Sequence, residues 1–193
     1  MDWNERYLEG DTPWEKGKPS PVLDEIHDKI GIDIWGAGEV LVPGCGFGHD
    51  ARWLAARGLR VRGLDIAEEA LKGARQLSEE GLPLSFEQRN FFEARPHAVS
   101  AIWEHTCYCA IEPSERKNYV KAAAEWLPSG AHLVGVFFLT PEDDGEGGPP
   151  HGTTVEELNE IFGPYFEVIE EWQPVSGYPE RLGREWARVM SKR

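Results

Sequence analysis

The sequence predicts an α/β fold: a doubly wound, mostly parallel sheet of seven strands, with one antiparallel strand in the edge region and an aromatic arm in front. Three observations predict it. Short apolar stretches alternate with helical stretches from residue 39 onward. A glycine-rich turn joins the first of those stretches to the first helix after it. Two strand-like stretches close the chain after its last helix, which calls for one antiparallel partner.

Taken in order, residues 1–36 read as an arm and residues 37–193 as the core of a single domain. The arm carries Trp3, Tyr7, Trp14 and Trp35, separated by the turn-forming Gly10-Asp11-Thr12-Pro13 and Lys18-Pro19-Ser20-Pro21. Val22 to Ile30 suits a short helix. Strands are expected over 39–42, 60–65, 84–88, 98–104, 131–139, 166–172 and 185–190. Helices are expected over 49–57, 68–78, 114–127 and 155–162; the second places Ala70, Leu71, Ala74 and Leu77 at helical spacing. The third starts behind Pro113, where proline is well tolerated. Residues 143–151 form a Gly/Pro/acid loop.

Composition narrows the function classes. The chain has 193 residues, 40% apolar, enough for one packed core. Its net charge of −14 argues against nucleic acid and anionic membrane surfaces as partners, because both select basic proteins. No stretch is apolar enough to span a bilayer, and Met1 to Arg6 lack the apolar core of a secretion signal, so a cytoplasmic protein is expected. Cys45, Cys107 and Cys109 are odd in number and complete neither a disulfide framework nor a four-ligand metal set. No metal is expected.

The chemistry centres on Gly44-Cys45-Gly46-Phe47-Gly48, which follows an apolar strand and opens a helix. Glycine there allows positive φ and close approach of the backbone to a ligand. The dinucleotide pattern needs a third glycine where His49 stands, so the spacing is G-x-G-x-G. That form suits a nucleoside cofactor without pyrophosphate. Asp65, 21 residues after Gly44 at a strand end, is placed to accept bonds from both ribose hydroxyls, with Ile66 beside it. Asn90 and Phe91 follow the third strand, where an amide can read adenine and an aromatic can stack; Phe91 and Phe92 as core residues is the alternative.

The arm and several further stretches resemble thiol and halide methyltransferases of the thiopurine S-methyltransferase superfamily. The stretches are Trp3-x-x-x-Tyr7 with Gly10-Asp11-Thr12-Pro13-Trp14, Val42-Pro43-Gly44-Cys45-Gly46 with Gly48-His49-Asp50, Trp103-Glu104-His105 with Cys109-Ala110-Ile111-Glu112-Pro113, Gly147-Gly148-Pro149-Pro150, and Gly183-Arg184-Glu185. The resemblance implies a Rossmann-like class I fold, S-adenosyl-L-methionine as cofactor, S-adenosyl-L-homocysteine as its product, and a small-molecule acceptor, with a thiol or sulfide foremost. It places Trp3, Tyr7, Trp14, Gly44, Gly46, Asp65, Ile66, Asn90, Phe91, Glu104 and His105 at the cofactor, and Trp14, Phe138, His151 and Arg184 at the acceptor. Glu104 holds either the cofactor ammonium or a nearby arginine. His105 and His151 are the candidates for a proton-accepting group. Cys107, Tyr108, Phe137, Phe138, Leu139 and His151 depart from the branch's pattern, all where the acceptor is expected. A monomer is expected. Two other readings remain: a class I methyltransferase for an oxygen, nitrogen or metalloid acceptor, and a cofactor-binding protein without turnover.

Overall fold

A computed structural model of the protein describes residues 1–94, 99–140 and 147–193. Ala98 and residues 143–146, parts of an expected strand and of the expected acidic loop, lie outside them.

Helix α1 (Trp3–Glu9) opens the arm. Asp2 caps it by accepting from Glu5 N at 3.1 Å, and Gly10 closes it in the left-handed conformation. The arm thus begins as a helix, where the sequence pattern of spaced aromatics and turns suggests irregular chain. Helix α2 (Val22–Ile30) follows as expected, then a 3-10 turn at Ile32–Trp35.

The sheet contains β1 (Glu39–Pro43), β2 (Arg60–Asp65), β3 (Leu84–Gln88), β4 (Ala101–His105), β5 (His132–Phe138), β6 (Phe166–Trp172) and β7 (Glu185–Lys192). Its order is β3-β2-β1-β4-β5-β7-β6. The first five strands run parallel, and β7 pairs antiparallel with both β5 and β6. The antiparallel strand therefore sits one place in from the edge, and β6 takes the edge. Helices α3 (His49–Ala55), α4 (Glu68–Gln76), α5 (Arg116–Trp126) and α6 (Val155–Phe162) complete the fold. Pro113 starts a separate 3-10 turn (Pro113–Glu115), so α5 begins two residues later than the sequence suggests.

The apolar strands are continuous because both faces are covered. Val40, Val42, Trp103, Val134 and Val136 pack with Leu23, Ile26, Trp35 and Leu54 on one side. Leu41, Ile102, Leu133 and Phe137 pack with Tyr119, Trp126, Leu158 and Phe162 on the other. All of these are buried, and the alternation along β1, β4 and β5 follows the two-residue strand period. The parallel arrangement brings the C-terminal ends of β1, β2 and β4 to one rim, where open α/β sheets bind ligands.

Candidate cofactor and acceptor site

The loop after β1 turns through three left-handed glycines, Gly44 (φ 55°), Gly46 (φ 53°) and Gly48 (φ 73°). At two of them space matters as well as φ. A Cβ on Gly44 would stand 3.0 Å from Cys107 Sγ, and one on Gly46 would stand 3.0 Å from the Tyr7 hydroxyl. The loop is thus pressed between the turn after β4 and the arm.

Asp65 ends β2 and faces this loop. One carboxylate oxygen accepts from Gly46 N and the other from Ala67 N, both at 2.9 Å. Each oxygen keeps a lone pair for a further donor. Burial pushes its carboxyl above the usual range, although the backbone donors oppose this. Next to it, Ile66 leaves half its surface exposed, an apolar shelf at the strand end.

The arm covers the loop. Tyr7 meets Phe47 edge-on at 5.2 Å, and Trp14 meets both Trp3 (5.3 Å) and Tyr7 (5.7 Å). Trp14 Nε1 donates to the Tyr7 hydroxyl at 3.0 Å. Burial and then the Asp65 charge hold the Tyr7 phenol well above its usual value, so it stays a neutral donor. Polar ties pin the arm down: Glu69 N donates to Asn4 Oδ1 (3.0 Å), His49 Nε2 meets Glu15 (2.9 Å), and Lys16 meets Glu180 (2.7 Å).

The β4 end is more internally engaged than the sequence suggested. Glu104 is fully buried. It accepts from Cys107 N (3.0 Å), Tyr108 N (2.7 Å) and, in a very short bond, the Tyr119 hydroxyl. These bonds brace a turn in which Thr106 takes a positive φ of 64°, the one non-glycine to do so among the described residues. Burial raises the Glu104 carboxyl to about 7, against the pull of its donors. No arginine is among these partners. Phe91 likewise packs into the core, 4.8 Å from Tyr119 and stacked on Trp126, while Asn90 is exposed at the β3 end and caps its own turn through Phe92 N.

His105 lies between the rings of Trp103 and Tyr178. Its Nδ1 is 2.9 Å from Asp50 Oδ2, and its Nε2 is buried with no partner among the described residues. Above it, Arg181 lays its guanidinium over Phe138 (4.9 Å) and Tyr178 (5.7 Å). His151 reaches the same end through its backbone, His151 N donating to Cys109 O at 2.7 Å, and Thr153 N donates to Leu139 O beside Phe138. Arg184 uses its carbonyl to accept from Leu139 N; the cation presented to Phe138 is Arg181, which the sequence reading missed along with Tyr178 and Asp50. Cys107 is part-buried and Cys109 buried, and desolvation chiefly holds both thiols above their ordinary range, Cys109 to about 12. They remain protonated at neutral pH.

This arrangement defines a class. A seven-stranded sheet with the antiparallel strand next to the edge, a tight glycine loop and a carboxylate at the β2 end is the layout of a class I methyltransferase. Solved structures bear out the fold. A 1,6-didemethyltoxoflavin N1-methyltransferase from Burkholderia thailandensis with bound S-adenosylhomocysteine superposes with a TM-score of 0.74 at 17% identity, covering 99% of this chain and 85% of that one. The N-methyltransferase NodS from Bradyrhizobium japonicum, also with S-adenosylhomocysteine, gives 0.72 at 18% identity, over 97% and 95%.

The particular family follows from the sequence: the chain belongs to the thiopurine S-methyltransferase family, whose model matches residues 1–186. It is similar to thiocyanate methyltransferase 1 of Brassica oleracea, at 32% identity over 97% of this chain and 84% of that protein. It is also similar to a thiopurine S-methyltransferase of Pseudomonas putida, at 25% identity over 98% and 95%. The protein is an S-adenosyl-L-methionine-dependent methyltransferase. Its residues fit that cofactor: a loop with room only for glycine, a carboxylate with spare acceptor capacity, an exposed apolar shelf beside it, and aromatic faces close above.

Proposed function

We propose that the protein methylates a small sulfur acceptor, a thiol or sulfide, at the end of the sheet where the arm, the β4 turn and the 173–184 segment meet. The observation that carries this reading is the clustering there of ring faces around the buried Arg181, which lies over Phe138 and Tyr178 and meets the buried Glu185 at 3.4 Å. Such a surface favours a soft, polarisable acceptor such as sulfur. Similar proteins are named for thiocyanate, thiol and thiopurine S-methylation.

In this reading Gly44, Gly46, Asp65, Ile66 and Asn90 hold the cofactor from the sheet side. Residues 1–36 act as its cover on the 37–193 core, through Trp3, Tyr7 and Trp14. The bound cofactor supplies a methyl group on a positively charged sulfur. Asp65 orients the ribose through the two lone pairs its backbone donors leave free. The arm rings, with Arg6 over Trp14 (4.5 Å) and Trp3 (5.9 Å), would exclude water from the bound cofactor. Glu104 and Phe91 support the site from below by bracing the β4 turn and the core. Phe138, His151 and Arg181 border the acceptor, with Arg184 fixing the backbone beside Phe138. The protein acts in this reading as a cytoplasmic monomer, and its negative net charge suits a small-molecule acceptor rather than nucleic acid or membrane.

The test is a panel of hydrogen sulfide, alkyl and aryl thiols, thiopurines and iodide with methyl-labelled cofactor. Labelled product is expected with at least one sulfur acceptor. Transfer only to oxygen, nitrogen or metalloid acceptors overturns the sulfur assignment.

A further inference from the structure

We propose that Asp50 and His105 form a proton-accepting dyad, in which His105 Nε2 takes the proton from the acceptor thiol and Asp50 is the positioning residue. The inference deepens the sulfur-acceptor reading and rests on it.

Asp50 lies in the first turn of α3, directly after the glycine loop. Its Oδ1 accepts from Ser20 N at 2.7 Å. Its Oδ2 accepts from Trp103 Nε1 at 2.8 Å and faces His105 Nδ1 at 2.9 Å. A backbone N–H and an indole N–H only donate, so this carboxylate is held as an acceptor on both oxygens. Burial alone would raise it, but His105, Trp103 and Ser20 outweigh that and hold it below the usual carboxylate value. An ionised Asp50 requires the proton of neutral His105 to sit on Nδ1. Nε2 is then a bare lone pair.

Several buried polar atoms lack a partner among the described residues, and His105 Nε2 is the one whose ring is held by a carboxylate on its other nitrogen. The His105 side chain is only 8% exposed, and Nε2 has no hydrogen-bond partner among the described residues. A buried acceptor left without a donor costs stability unless something else uses it. His105 occupies the C-terminal end of β4, the rim that carries the glycine loop, and stacks on Tyr178, whose ring also carries Arg181. In this proposal the acceptor thiol binds against these rings, with Nε2 as its base.

The step balances simply. The S–H bond breaks, its proton goes to Nε2, and the electron pair stays on sulfur. The resulting imidazolium carries N–H on both nitrogens and is stabilised by the Asp50 charge. The thiolate sulfur then forms the bond to the methyl carbon as that carbon's bond to the donor sulfur breaks, the pair leaving with the donor.

The experiment compares two acceptors in one preparation: 2-mercaptoethanol, which must lose a proton, and iodide, which has none. Because both rates come from the same sample, their ratio is independent of the folded fraction. For His105→Gln the thiol-to-iodide rate ratio is expected to fall about a hundredfold or more, in the range of general-base catalysis, whatever loss the two rates share. Asp50→Asn is expected to lower the thiol-to-iodide ratio in the same direction by a smaller factor. Equal losses on both acceptors, or an unchanged ratio, overturn the dyad. A wild-type protein that methylates neither acceptor overturns the sulfur reading itself, and the dyad with it. Should the variants fail to fold, ¹⁵N-histidine NMR of the wild-type protein at neutral pH decides the tautomer: a protonated Nδ1 and bare Nε2 are expected, and a protonated Nε2 with a bare Nδ1 contradicts the proposal.

Discussion

Replacing Glu104 by glutamine is expected to flatten the pH dependence of this protein's stability between about pH 4.5 and 7. Glu104 is completely buried, and burial lifts its carboxyl from 4.5 to about 7 despite three internal donors. A carboxyl whose affinity for protons rises on folding stabilises the native state when protonated. The benefit is complete below the unfolded value and is lost as pH climbs through the folded value. At about 1.4 kcal/mol per tenfold change in proton affinity, the loss across that window is on the order of 3 kcal/mol. Glutamine retains a carbonyl oxygen for Cys107 N and Tyr108 N, and its amide can donate to the Tyr119 hydroxyl, so the turn keeps its partners without an ionisable group. Urea titrations followed by tryptophan fluorescence, run on both proteins every half pH unit, give the difference curve. It should change by about 3 kcal/mol over the window and level off on either side. Parallel curves would show that Glu104 does not titrate in the folded protein, and would refute the assignment of its carboxyl as a high-affinity proton site. Glu104→Ala is a separate matter: it strands three buried donors and should cost at least about 3 kcal/mol at every pH.

Other expectations concern the site. Asp65→Asn should weaken S-adenosylhomocysteine binding about 10- to 100-fold by calorimetry, the value of one or two charged hydrogen bonds, and should also lower the melting temperature, because its amide NH2 faces one of the two backbone donors of Gly46 and Ala67; unchanged affinity would remove Asp65 from the ribose. Gly46→Ala places a Cβ at positive φ and 3.0 Å from the Tyr7 hydroxyl, so it should cost about 1 kcal/mol of stability and make the arm more susceptible to limited proteolysis. The double change Arg181→Met with Glu185→Gln removes the buried pair but keeps the packing on Phe138 and Tyr178, and should raise KM for the acceptor about tenfold with kcat less affected; a selective loss of kcat would place Arg181 in the transition state instead.

Much of the fold can be read from the residues because it rests on local patterns. Continuous apolar strands such as Leu133 to Phe137 announce a sheet covered on both faces, and the Gly44–Gly48 spacing announces a tight turn into a helix. Helix α1 went unread although its signal was present, an aspartate cap at Asp2 with Glu5 three residues on and Gly10 at the end; the spaced aromatics drew the reading toward an irregular arm. The site was legible where chemistry is local, at Gly44, Gly46 and Asp65. It was illegible where partners are distant in sequence. Asp50 and His105 are 55 residues apart, and only the β1–β4 pairing brings their elements together. Arg181 reaches Phe138 because β7 folds back antiparallel on β5, a register no single segment encodes. The role of Glu104 was hidden for the same reason: Tyr119, its donor from α5, is anonymous in the sequence.

The most direct test of the account is to incubate the wild-type protein with methyl-deuterated S-adenosyl-L-methionine and hydrogen sulfide, thiols and thiopurines in turn, and to follow the label by mass spectrometry. The account predicts deuterated methyl on sulfur, with stoichiometric S-adenosyl-L-homocysteine, and loss of the transfer when Asp65 is replaced. Tight cofactor binding with no label on any sulfur acceptor would contradict it.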